Sequence, residues 1–195
     1  MEAQLITEDQ INPGDILLFT NATGESRVTT LLTHSPYYHA GIYAGHKKSI
    51  EMRVTGAILR DLRSKDGDPD FIVIPAPQGK GAAALAWARS RLKAKYDDKG
   101  ILVLFFNRIL MHLHLNYTAP GKYTCGEFVA AAYDSAGVKL FPDMPLSDVE
   151  PADFARYVPE GAPTVTFGHN GVPADEASAT NEAVVPNETT AKGGA

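Results

Sequence analysis

The chain has a single cysteine, Cys125, set in the stretch Tyr123-Thr124-Cys125-Gly126-Glu127-Phe128-Val129. A thiol becomes a strong nucleophile when it ionises, and it then needs a base and a positioned acceptor. From Cys125 onward the apolar residues Phe128, Val129, Ala132, Tyr133 and Ala136 trace one face of a helix, with Glu127, Asp134 and Ser135 off that stripe. Gly137 is a suitable stop. Cys125 therefore falls at or just before the first turn of a packed helix. Unpaired N–H groups and the positive end of the helix dipole favour a thiolate there. A lone cysteine is usually a small buried hydrophobe. Its place at a helix start, together with a suitably placed histidine, is what sets this one apart.

That histidine is His39. It begins a stretch, His39 to Ala44, that reads as a strand, and Lys48 to Val54 reads as the next. Gly45-His46-Lys47 forms the hairpin connection between them. Side chains alternate along a strand, so His39, Gly41 and Tyr43 share one face. On the following strand Ser49, Glu51 and Arg53 share a face, and Ile50, Met52 and Val54 take the other. A short loop centred near Gly45 or His46 pairs odd residues with odd ones. His39 and Glu51 then lie on the same face, opposite or diagonal. A carboxylate beside an imidazole fixes its tautomer and supports its protonated form. His34, before a proline in a loop, and His46, in the hairpin turn, compete for the base role. Neither lies on a strand face aimed at the core, and His39 is preferred.

The remaining segments must position these groups. Pro13-Gly14 marks a turn into a strand over Asp15 to Thr20. Residues 21–27 read as a loop, and Val28 to Leu32 as a short helix or turn. Residues 60–70 are charged and read as a loop. Phe71 to Ile74 is a strand stopped by Pro75 and Pro77. Lys80 to Lys95 reads as a helix with Ala84, Leu85, Ala88 and Leu92 as its buried stripe and Trp87 at the margin. Ile101 to Leu115 is the most apolar part of the chain. It is too short and too polar to span a bilayer, and reads as a buried or half-buried helix. His112 and His114 point to different sides of such a helix, and no third metal ligand is evident. Pro151 to Ala155 reads as a short final helix with Pro in its first turn.

A length of 195 residues suits one domain and a tail. Hydrophobic residues make up 44% and charged residues 21%, within the range of globular proteins. The net charge of −5 argues against nucleic acid as a main partner. One cysteine cannot form an internal disulfide. Met1 to Gln10 lacks the basic start and apolar core of a signal peptide. The expectation is cytoplasmic location at synthesis, with release by lysis or another route, and no transmembrane segment. Residues 1–158 are expected to form the domain. Residues 159–195, rich in Ala, Thr, Asn, Glu and Pro, are expected to form a low-complexity, disordered tail.

Several stretches together resemble the NlpC/P60 superfamily. Pro13-Gly14-Asp15-Ile16-Leu17-Leu18-Phe19 is similar to its "GD-apolar" first strand. Ser35-Pro36-Tyr37-Tyr38-His39-Ala40-Gly41-Ile42-Tyr43 is similar to its "SxxxHVGIY" segment. Tyr96-Asp97 fits the "G-x-x-Y-D" position, and Tyr123 to Val129 is similar to "Y-x-C-S-E-F-V". Pro151-Ala152-Asp153 resembles a closing "P-x-D". In ordinary members the cysteine precedes the histidine. Here His39 comes first, the order of the circularly permuted, YiiX/YebB-like papain-like hydrolases, related to the lecithin retinol acyltransferase group. The resemblance covers roughly residues 11–157. It departs at Gly126, where Ser is common.

The resemblance implies an α+β, permuted papain-like fold: a small antiparallel sheet bearing the histidine, packed on the helix bearing the cysteine. It implies Cys125 as nucleophile, His39 as base and Glu51 as the third, orienting residue. The chemistry would be acyl transfer through a thioester, with the Cys125 N–H as a candidate oxyanion donor. Tyr37, Tyr38, Tyr96 and Tyr123 are candidates for lining the site. The implied substrate is an amide, a peptide or a cell-wall (peptidoglycan-derived) peptide. Lipid acyl hydrolysis or transfer is the enzymatic alternative, and a non-catalytic binding or structural module on the same fold is the third reading. The mechanism requires no metal and no organic cofactor.

Overall fold

A computed structural model describes residues 3–20, 35–63, 69–96 and 121–167. The fold is mixed α+β, built on one mostly antiparallel sheet. Its strands are β1 (Gln4–Leu5), β2 (Ile16–Phe19), β3 (His39–Gly45), β4 (Lys48–Arg53), β5 (Gly56–Asp61), β6 (Phe71–Ile74) and β9 (Val165–Thr166). They lie in the order β1-β9-β6-β2-β3-β4-β5. Only the β1–β9 pair is parallel. A two-stranded parallel ribbon joins β7 (Lys95–Tyr96) to β8 (Lys122–Tyr123). Among the described residues the α-helices are α1 (Gly81–Ser90) and α2 (Cys125–Ser135), alongside short 3-10 turns.

β2 reads Ile-Leu-Leu-Phe with no polar alternation, and all four residues are buried. Both faces of the sheet are covered at this strand, which is why the alternation is missing. Ile16 and Leu18 join Ala40, Ile42, Ile50, Met52 and Ile74 in a core shared with Ala84, Ala88, Phe128, Val129 and Ala132 of the two helices. Leu17 and Phe19 join Ile11, Tyr43, Phe71, Val165 and Phe167 in a second cluster on the opposite face. The turn into β2 is tied to both layers. Asp15 accepts from the N–H of Asn12 and of Ala76 (each 2.8 Å), and Tyr133 of α2 donates its hydroxyl to the Gly14 carbonyl (2.6 Å).

Several expectations need correction. The helix expected over 80–95 ends at Ser90, and Leu92 is 37% exposed rather than part of the buried stripe. The chain turns at Lys93 (φ +75) and reaches the sheet, where Ala57 N–H donates to Ala94 C=O and Lys93 N–H to Ala57 C=O (both 2.9 Å). Backbone pairing with β5 overrides helix propensity here. The loop expected over 60–70 begins later. β5, which the sequence pattern does not mark, runs through Arg60 to Asp61 as an edge strand, where charged residues are usual. Part of the segment expected as a tail from 159 is in the sheet. Val165–Thr166 pairs with β1 and β6, and Phe167 is buried against Tyr43 and Phe71. Two β-formers and a phenylalanine are diluted when composition is averaged over a long polar segment.

Other expectations agree with the structure. β6 has the expected bounds, and α2 is capped at Ala136 with Gly137 in the left-handed region (φ +85). The expected final helix is a 3-10 stretch, Pro151–Tyr157. The loop over 21–27, the segment 28–32, His34, the apolar stretch 101–115 with His112 and His114, and the tail beyond Phe167 lie outside the described residues. Among the described residues no helix is long and apolar enough to cross a membrane.

Candidate active site

β3 and β4 are joined by a two-residue turn. Gly45 faces Lys48, and both His46 (φ +54) and Lys47 (φ +53) are left-handed, as in a type I′ turn. Continued without interruption, this register would set Glu51 opposite Ile42 and send it to the helix side of the sheet. Instead the register shifts between Tyr43 and Gly45, so that Tyr43 faces Ser49 and Gly41 faces Glu51. One bulge therefore places the carboxylate on the histidine's face. The apolar residues explain it: Ile50 and Met52 belong to the core beneath the helices, which requires Ser49 and Glu51 to point the other way.

His39, the first residue of β3, lies diagonal to Glu51. Its ring packs 5.4 Å from Phe19 and 6.3 Å from Tyr38, the latter stacked at 22°. His39 Nε2 is 3.0 Å from Glu51 Oε2. Glu51 is fully buried and holds three more partners. Ser49 Oγ donates to Oε1 at 2.6 Å, Arg53 Nε donates to Oε2 at 2.9 Å, and Arg60 Nη1 lies 3.5 Å from Oε1. Gly41 supplies the space, since a Cβ there would stand 3.0 Å from Glu51 Cγ.

Cys125 is the first residue of α2, half-buried and unbonded to any other cysteine. Thr124 caps the helix. Its Oγ1 accepts from the Glu127 N–H (3.2 Å), and Glu127 reaches back to the Thr124 N–H (3.3 Å). The cap uses the Glu127 N–H, and Phe128 N–H bonds to the Thr124 carbonyl (3.0 Å). The backbone N–H groups of Gly126 and of Ala40 from β3 favour the Cys125 thiolate. The Cys125 sulfur and the His39 ring interact, each favouring the charged form of the other. With Nε2 on Glu51, Nδ1 is the ring nitrogen left to address the thiol.

The charges reinforce this arrangement. Burial works against the His39 imidazolium, but the Cys125 thiolate and the Glu51 carboxylate outweigh it and raise its pKa to about 9. Burial likewise works against the thiolate. The His39 imidazolium and the N–H groups of Ala40 and Gly126 overcome it, and the Cys125 pKa is lowered. For Glu51 the burial penalty is outweighed by His39, Arg53 and Arg60, which hold its carboxyl well below the usual range. The arrangement favours a thiolate beside an imidazolium backed by a carboxylate.

Gly126 is fixed by packing. A Cβ at this position would overlap the Val149 carbonyl oxygen, and it would stand 2.9 Å from the Val149 carbonyl carbon. The start of α2 is pressed onto the 149–150 backbone too closely for any side chain.

The tyrosine candidates separate. Tyr38 stacks on His39, and burial raises its hydroxyl pKa although Arg60 and Arg53 act against the rise. Tyr37 is half-buried and packs on the main core. Tyr123 stands edge-on to Trp87 (5.7 Å) and Phe128 (5.9 Å), a packing role. For Tyr96 only the backbone is described, paired with Tyr123. His46 is exposed in the turn, away from the cysteine. An open groove of about 500 Å³ beside β7 and β8, lined by Arg91, Lys93, Ala94 and Tyr123 among others, contains none of Cys125, His39 and Glu51.

Sequence reasoning did not assign roles to Arg53, Arg60, Ser49 or the Ala40 N–H. Ser49 and Arg53 were legible as neighbours of Glu51 on one face. Arg60 required β5, whose register sets it opposite Ser49. No protein-family model matches the chain, and no curated protein matches it.

Proposed function

We propose that the protein is a cysteine hydrolase that cleaves an amide bond, in a peptide or cell-wall peptide, through a thioester on Cys125. The observation that carries this reading is the thiol of Cys125 set against His39, whose far ring nitrogen is held by a buried carboxylate. His39 Nδ1 takes the thiol proton, and the thiolate attacks the carbonyl carbon. The carbonyl oxygen becomes an oxyanion, with the N–H of Cys125 at the helix start as its candidate donor. The tetrahedral species collapses, the C–N bond breaks, and the His39 imidazolium gives its proton to the leaving amine. Water, deprotonated by His39, then cleaves the thioester and returns the thiol. Glu51 orients the ring and supports the imidazolium throughout.

The permuted papain-like fold is part of the same reading. It is supported by the order of the parts, with the histidine on a sheet packed against a helix that begins at the cysteine. Gly126, where the resembling proteins commonly carry Ser, is accounted for by the Val149 backbone at that spot.

The test is turnover with a trap. Wild type and Cys125→Ala are incubated with peptidoglycan-derived peptides, with unrelated peptides and with acyl lipids, and the intact protein is weighed by mass spectrometry. The expected result is hydrolysis of a peptide class, an acyl adduct on Cys125, and loss of both in Cys125→Ala. Turnover confined to acyl lipids would move the reading to lipid ester chemistry. No turnover and no adduct in any class would favour a non-catalytic module.

A further inference from the structure

Glu51 is held more heavily than an orienting carboxylate requires. A group whose task is to hold one imidazole needs that single hydrogen bond. Here Ser49 Oγ hydrogen-bonds Oε1, Arg60 Nη1 faces Oε1 at 3.5 Å as an ion pair without a hydrogen bond, and Arg53 Nε shares Oε2 with His39 Nε2. The two guanidinium groups come from different strands. Arg53 lies two residues beyond Glu51 on β4, and Arg60 reaches across from β5. Their side chains are 35% and 21% exposed, while Glu51 is 0% exposed.

We infer that Arg53 and Arg60 are positioning residues that share the Glu51 carboxylate with His39 and so set the pH window in which Cys125 is a nucleophile. This rests on the Cys125–His39 reading above. A buried carboxylate that faced only His39 would hold the imidazolium so firmly that it could not pass its proton to a leaving group. Two fixed cations on the same carboxylate weaken that hold. They also favour the thiolate. The charged and titratable groups around His39 are Cys125 from α2, Glu51 and Arg53 from β4, Arg60 from β5, and the neighbouring Tyr38. Removing one cation from this set disfavours both the thiolate and the loss of the imidazolium proton. Both steps therefore move to higher pH.

The test reads the rate of iodoacetamide alkylation of the single cysteine against pH, and it needs no substrate. One limb of the profile reports thiolate formation, and the other reports loss of the His39 proton. In Arg53→Gln and Arg60→Gln both limbs are expected to move upward by about half to one pH unit. Arg53→Lys and Arg60→Lys keep the charge and should leave the limbs in place. Circular dichroism checks that each variant is folded, since a purely structural role would lower stability without moving a limb. Unmoved limbs in folded Gln variants overturn the inference. If neither Gln variant folds, the Lys variants decide: limbs that move as far as expected for Gln, with the charge retained, overturn it, and limbs in place support it. Failure of the underlying reading looks different. Wild type would then label slowly below pH 7, and His39→Ala would label at the same rate.

Discussion

Replacing Glu51 by Gln removes one charge from a fully buried site and keeps the side-chain shape. The carboxylate oxygen stands 3.0 Å from His39 Nε2. Charge centres about 4 Å apart, at an effective dielectric constant of about 20, interact by about 4 kcal/mol. That corresponds to about three pH units. The His39 pKa of about 9 should then fall to about 6 in Glu51→Gln. Arg53 and Arg60 remain beside the neutral amide and push in the same direction. At pH 7 the imidazolium would be mostly lost, and with it the main support of the thiolate. Alkylation of Cys125 at pH 7, where about one-tenth of the imidazolium would remain, should slow by about tenfold relative to wild type. The rate is followed by mass spectrometry of the intact protein, with urea denaturation in parallel to establish that the variant is folded. A folded Glu51→Gln protein that labels at pH 7 within about twofold of wild type would refute the claim that Glu51 supports the ion pair.

Two further predictions concern stability. His39 is raised from 6.5 to about 9, so its contribution is complete below pH 6.5 and is lost as the pH rises through about 9; Cys125 is lowered from 9.0, so its contribution is complete above pH 9.0 and is lost as the pH falls. Between 6.5 and 9.0 the folded pair and the unfolded pair bind the same number of protons. The urea midpoint of wild type should therefore carry no slope from this pair in that window, and a slope there that is present in wild type and absent from Cys125→Ala would contradict the pairing. Gly126→Ala forces a methyl group against the Val149 backbone and should destabilise by about 1–3 kcal/mol in urea melts despite the better helix propensity of alanine; an unchanged or raised midpoint would mean that the 149–150 segment yields easily.

The parts of the site that local chemistry controls were legible in the sequence. Gly137 stops a helix, and the apolar stripe beyond Cys125 turns that helix into the core, so the cysteine had to stand at or just before its first turn, although the Thr124–Glu127 cap emerged only in the structure. His39 and Glu51 belong to adjacent strands joined by a short connection, and alternation alone restricted them to one of two relations. Alternation could not choose between the two. The His46-Lys47 turn by itself gives the wrong parity, and only the bulge between Tyr43 and Gly45 returns Glu51 to the side of His39. That bulge arises because Ile50 and Met52 must meet the helices while the turn keeps its own geometry, a conflict between a local and a long-range demand. The end of α1 and the path of β5 followed the same logic. Residues 91–94 have good helix formers, but the free edge of β5 offers backbone partners that a helix would leave unused. Val165 to Phe167 lie in a polar tail by composition and fill the space beside Tyr43 and Phe71 by contact. Sequence singled out Cys125, His39 and Glu51, because type and local spacing are written along the chain. Tertiary structure decided what surrounds them, the two arginines on Glu51 above all, because pairing across strands depends on register, and register is settled by the whole core at once.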